Sequence, residues 1–124
     1  MVIVDSCGWL EWFSDGILAA KYQKHLENKK ELLVPTIVLY EVYKILKREV
    51  GEEKALPAIG HMKSSDVIPF DENLALQAAD LSLLHNLAMA DAIVYATTLE
   101  NNCKLITSDG DLKGLSQVTF ISKI

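Results

Sequence analysis

The chain has 124 residues, half of them hydrophobic and 23% charged, with a formal net charge of −5. That balance excludes a disordered or fibrous polypeptide, and the length suits a single domain over residues 1–124, able to stand without disulfides or a structural metal. No run of about 18 apolar residues is present to span a bilayer, and the opening Met1-Val2-Ile3-Val4-Asp5 lacks the features of a signal peptide, so a cytoplasmic location is expected.

The negative charge weighs against nucleic-acid binding, since such proteins usually carry a basic excess. Seven of the 12 Lys and Arg nevertheless fall between Lys21 and Arg48, which leaves room for a local positive face. Cys7 and Cys103 share no metal-binding spacing and read as buried free thiols.

In chain order, residues 2–4 form a first apolar run that ends at Asp5. A helical pattern covers residues 17 to 28, with apolar residues at 17, 18, 22 and 26. Residues 32–34 are a second strand. A helix over 36–50 opens after Pro35 and stops before Gly51, and a weaker helical stretch over 52–63 is interrupted by Pro57 and Gly60. After a third strand at 67–69, a helix over 72–85 starts behind the N-cap candidate Asp71. Another over 89–100 stops at Asn101-Asn102, and strands at 105–107 and 118–121 close the chain. The strands lack in-out alternation, as expected where both faces of a parallel sheet are covered. The alternation of elements predicts a three-layer α/β/α sandwich around a mainly parallel sheet of four to five strands.

Four acids stand where a fold alone does not want them. Asp5 ends the first strand, where ligand sites form in open α/β sheets, though it also suits the cap of a short helix starting near Cys7. Glu41 projects along the stripe of Val38, Val42, Ile45 and Leu46, unless it turns to Lys44, Arg48 or water. Asp91 lies in the apolar first turn of a helix, where the helix dipole also favours an acid. Asp109 follows the fourth strand in Thr107-Ser108-Asp109-Gly110-Asp111, a sequence that also reads as a turn. Brought together, four such groups need a counter-charge, and a hard, oxygen-seeking dication suits a set without sulfur or imidazole.

At these residues the chain resembles the PIN-domain nucleases, and more narrowly the VapC toxins of type II toxin–antitoxin pairs. The likeness covers the whole length. Val2-Ile3-Val4-Asp5-Ser6 is similar to the family's first strand and acid, Pro35 to Val42 to its helical glutamate, and His85 to Thr97 to its third-acid motif. Thr107-Ser108-Asp109 is similar to the final Thr-x-Asp motif, where Leu112 departs from the usual aromatic residue. The resemblance implies a Mg²⁺- or Mn²⁺-dependent endoribonuclease that hydrolyses RNA phosphodiester bonds through Asp5, Glu41, Asp91 and Asp109, with one or two ions. Ser6, Thr107 and Asp111 are implied as supports, and Asp109 is favoured over Asp111 as the last ligand. It also implies a VapB-like antitoxin that covers the acids, and a homodimer; Trp9, Trp12, Phe13 and Tyr22 are candidate contacts, with core packing the alternative for Trp9 and Phe13.

Lys21, Lys24, Lys44, Lys47 and Arg48 are candidates for steering phosphates, each weighed against an ordinary solvated position. His25, His61 and His85 show no triad spacing with a Ser or Cys. The rival readings are a catalytically silent PIN-fold interaction module and a receiver-like phosphate-handling domain. The second needs a positioned lysine, and Lys104 precedes the fourth strand instead of following it.

Overall fold

A computed structural model gives the fold and describes residues 1–123. Strands β1 (Val2–Val4), β2 (Leu32–Pro35), β3 (Asp66–Ile68), β4 (Lys104–Thr107) and β5 (Val118–Phe120) form one sheet in the order β3-β2-β1-β4-β5. Every pairing is parallel, and Ile3 of the central strand lies opposite Leu33 on one side and Leu105 on the other. Ile3, Val4, Val34 and Leu105 are fully buried. Burial on both faces is why these strands read as unbroken apolar runs.

Six helices connect them: α1 (Ser6–Phe13), α2 (Ala19–Leu26), α3 (Thr36–Val50), α4 (Glu52–Met62), α5 (Glu72–His85) and α6 (Met89–Glu100). The chain steps from β1 through β2 to β3, then doubles back across the sheet to β4. Right-handed crossovers therefore put α1 to α4 over one face and α5 with α6 over the other, giving the three expected layers. In accord with this, α1 packs on α2 and α3, α3 on α4, and α5 on α6. Among the described residues, no helix is long and apolar enough to cross a membrane.

Helices α3, α5 and α6 keep the limits read from the sequence. Two details differ. Ile17, counted in an apolar stripe, is 91% exposed and precedes α2, whose inward side is Tyr22 and Leu26, with Leu18 buried just before it. Helix α4 also runs through Pro57, which costs a backbone donor there. Burial of Ala55 and Met62, and packing against α3, outweigh that cost. Gly51, at φ 87°, takes the backbone turn between α3 and α4 that a side chain would resist.

The doubling-back places the switch in direction between β1 and β4, the two neighbours at the middle of the sheet. Loops leaving the carboxyl ends of such strands diverge and open a crevice. Asp5 and Asp109 follow those two strand ends.

Candidate metal centre

The Asp5 backbone N–H donates to Ile106 O at 3.0 Å, extending the β1–β4 ladder by one bond. Its side chain is 4% exposed. One carboxylate oxygen caps α1 by accepting from the Ser6 N–H at 2.8 Å, and the other accepts from the Thr107 hydroxyl at 2.8 Å. Thr107 is fully buried, and its Oγ1 in turn accepts the Asp109 N–H at 2.9 Å. A single threonine thus fastens the ends of both strands and orients the acids that follow them. Asp109 Oδ1 accepts the Asp111 N–H at 2.9 Å, a local turn that directs its carboxyl group. The helix-cap and turn roles weighed for Asp5 and Asp109 are therefore both present, and they aim these carboxylates at one another's surroundings.

Asp91 enters from the first turn of α6, where the helix dipole favours a carboxylate. One carboxylate oxygen each from Asp5, Asp91 and Asp109 lie within 4.8 Å of one another. Glu41, on α3 between the buried Val38 and Val42, stays outside this trio. It borders the trio closely enough for the charges of Asp5 and Asp109 to act on it.

Proton affinities rise across the cluster. The Asp91 pKa is pushed up to about 7, by burial first, then by the charges of Asp109 and Asp5, a hydrogen bond shared with Asp109, and the charge of Glu41. Burial also raises Asp5, against hydrogen bonds from Thr107 and Ser6, and the charge of Asp109 adds to the rise. Glu41 is raised by burial and then by Asp5, while the Ser6 side chain pulls it down.

Among the described residues, no basic group forms an ion pair with these acids. The ion pairs among those residues join the Met1 amine to Glu31, Lys47 to Glu52 and Arg48 to Glu49. Lys44, one partner open to Glu41, lies over the Tyr40 ring instead. Two carboxylates 4–5 Å apart repel by roughly 3–4 kcal/mol at an effective dielectric of 20. The trio offers only hard oxygen donors, and its chemistry suits a hard, oxygen-seeking divalent cation.

The sequence matches the family model of the PIN domain over residues 2–118. The chain belongs to the PIN domain family. No curated protein matches this PIN domain in sequence. Among solved structures it is similar to a toxin–antitoxin complex from Klebsiella pneumoniae, with TM-score 0.81, 21% identity, and 96% of each chain covered. It is also similar to VapC20 of Mycobacterium tuberculosis, described as a sarcin-ricin loop cleaving toxin, with TM-score 0.80, 20% identity, and 95% and 97% covered. VapBC2 of Rickettsia felis, solved on a DNA fragment from its promoter, follows at TM-score 0.75, 12% identity, and 98% of each chain. At such identities the likeness carries the fold.

Within this PIN domain, the remaining expected residues divide. Asp111 is exposed and contributes its backbone N–H to Asp109, while its carboxylate lies outside the trio. Leu112, where the resemblance leads one to expect an aromatic residue, is fully buried. Of the four aromatics considered for a partner surface, Trp9 and Tyr22 are buried in the core, whereas Trp12 and Phe13 are half-buried and line a groove. The unread link is that of Tyr22, considered above only as a partner contact, with Ser108: their hydroxyls share a 2.6 Å hydrogen bond behind the acids. Tyr22 occupies an inward position of its helix, and a buried tyrosine hydroxyl calls for a partner, so half of that link was written in the helical period.

Proposed function

We propose that this PIN domain is a Mg²⁺- or Mn²⁺-dependent endoribonuclease, and that it serves as the toxin of a type II toxin–antitoxin pair. The observation that carries the proposal is the meeting of Asp5, Asp91 and Asp109 within 4.8 Å, with Glu41 beside them and, among the described residues, no basic side chain in ion-pair contact.

In this reading, Asp5, Asp91 and Asp109 would hold the ion, with Glu41 bordering them as a further ligand. The bound dication supplies Lewis-acid polarisation of the scissile phosphate and a water activated for attack. The chain's own part is to aim and to exchange protons. Thr107 and the Ser6 N–H fix the two oxygens of Asp5, so that its carboxylate does not swing away under repulsion. Asp91 gives up the proton that its neighbours stabilise when a cation takes that place. The Asp111 N–H keeps Asp109 turned toward the crevice. No Ser, Cys or His is needed as nucleophile.

The antitoxin reading draws on a groove of about 620 Å³ lined by Trp12, Phe13, Leu46, Val50, Pro57 and His61, between α1, α3 and α4. An apolar helix or extended tail suits such a lining, and a fold neighbour is described as a toxin–antitoxin complex. For the homodimer, Leu76, Leu83 and Leu84 of α5 and Met89 of α6 supply exposed apolar surface.

The test is cleavage of a structured RNA by the wild type and by Asp5→Asn, with Mn²⁺ and with EDTA. Cutting that needs both the metal and Asp5 supports the proposal. Cutting indifferent to both removes it, and tight binding of a partner protein with no cutting of any RNA favours the silent interaction module.

A further inference from the structure

Helix α2 contributes none of the four acids, yet it sends one side chain beneath them. Tyr22 is fully buried. Its hydroxyl shares a 2.6 Å hydrogen bond with Ser108 Oγ and lies 3.8 Å from Cys7 Sγ. Ser108 is the residue between Thr107, which holds Asp5, and Asp109, which joins the trio. The Cys7 sulfur also lies 3.8 Å from Thr107 Oγ1, so the hydroxyls of Tyr22 and Thr107 flank one thiol.

The slot for the ring is built into α1. A Cβ at Gly8 would run into the Tyr22 ring and the Val4 side chain, so only glycine lets the ring pass under α1 to reach the β4 loop. A buried hydroxyl without a partner costs about 1–3 kcal/mol. The Ser108 bond removes that cost only while the loop keeps its present path. The ring is pinned by packing, and the loop is pinned by the ring.

The geometry points to Tyr22 as a positioning residue that acts through Ser108 to hold the Asp109 carboxylate in the metal-binding arrangement. The inference rests on the metal reading given above and adds a determinant on a helix outside it. Burial raises the Tyr22 pKa, so the hydroxyl stays neutral and keeps its hydrogen bond over the working pH range.

Tyr22→Phe keeps the ring in its slot and deletes the hydroxyl. Calorimetric titration of the folded variant with Mn²⁺ is expected to show affinity about tenfold weaker than wild type, the lower end of what outer supports of metal ligands contribute. Ser108→Ala removes the same bond from the other side and gives a similar loss, and the double variant loses no more than either alone. The serine variant also keeps the test decisive where the tyrosine variant folds poorly. A purely packing role lowers Tm and leaves the Mn²⁺ Kd of the folded protein unchanged in both variants, which overturns the inference alone. Wild-type protein that takes up no Mn²⁺ removes the metal reading, and this inference with it.

Discussion

The two edges of the sheet treat carboxylates in opposite ways. At the amino edge, Glu31 sits 3.5 Å from the Met1 amine, and both are well exposed. At the carboxyl edge, Asp5 is buried, Asp91 and Asp109 are half-buried, and no ion pair among the described residues reaches any of them. An exposed, paired acid contributes little to stability and costs little. A buried, unpaired cluster costs several kcal/mol, and a chain selected for stability alone would shed it. The difference teaches where to look for function: in the charges a fold tolerates without a partner.

The largest expected effect comes from breaking the carboxyl edge. On the proposed function, Asp5→Asn is expected to lower RNA cleavage by at least about 100-fold, because it would withdraw a charged ligand from the ion. Stability moves the other way. In EDTA at pH 8, Asp91→Asn raises Tm by several degrees, since it deletes a like charge and its amide donates to Asp109 where a shared proton sat. On the same reading, Mn²⁺ at 100 times its Kd is expected to stabilise the wild type by about 2.7 kcal/mol and to give less to either variant. Thermal melts with and without Mn²⁺ check both statements. An Asp91→Asn protein that melts lower than wild type in EDTA contradicts the stored repulsion.

Next in size is the pH response of the metal-free protein. The folded pKa of Asp91, about 7, lies above its ordinary 3.8, so between these values the folded state keeps a proton that the unfolded chain has released. That contribution to stability is complete below pH 3.8 and is lost as pH rises through about 7. Asp5 and Glu41 are raised too, and act in the same direction. Tm in EDTA is expected to fall over this window, while Mn²⁺ affinity climbs as the competing proton leaves. Asp91→Asn flattens the Tm profile; a wild-type profile that is already flat contradicts the shift.

A smaller effect separates the scaffold from the ligands. Thr107→Val keeps the shape but deletes the hydroxyl that donates to Asp5 and accepts from the Asp109 N–H. Chemical denaturation is expected to show a loss of about 1–3 kcal/mol, with weaker Mn²⁺ binding at the same time. Loss of stability with Mn²⁺ binding intact would confine Thr107 to the fold.

How much of this was legible in the sequence depended on range. The limits of α3, α5 and α6 were legible because local signals decide them: Pro35 before one, Asp71 capping another, Asn101 ending the third. Strands β1, β2 and β4 were legible because burial in the middle of the sheet leaves unbroken apolar runs, while the edge strands β3 and β5 are only partly covered. Helix α4 was the weaker reading because Pro57 argues locally against what packing on α3 enforces. In the site, each acid had an ordinary local explanation. The convergence of Asp5 with Asp109 needs β4 to return beside β1, a fact of topology that no window of residues contains. Tyr22 shows the same limit: the period turned it inward, but its partner is 86 positions away.

The smallest effect is the control that gives the comparison its edge. Glu31→Gln removes the acid partnered by the Met1 amine, at the far ends of the same strands. The side chains of Met1 and Glu31 are 42% and 56% exposed, so water screens their attraction and already solvates both groups. The expected change in unfolding free energy is within about 1 kcal/mol, and Mn²⁺ binding and cleavage stay at wild-type levels. A Glu31→Gln protein that lost Mn²⁺ affinity would mean that the two edges are electrostatically coupled through the sheet. The acids of the carboxyl edge would then owe part of their behaviour to the net charge of the chain, and not to their local burial and contacts alone.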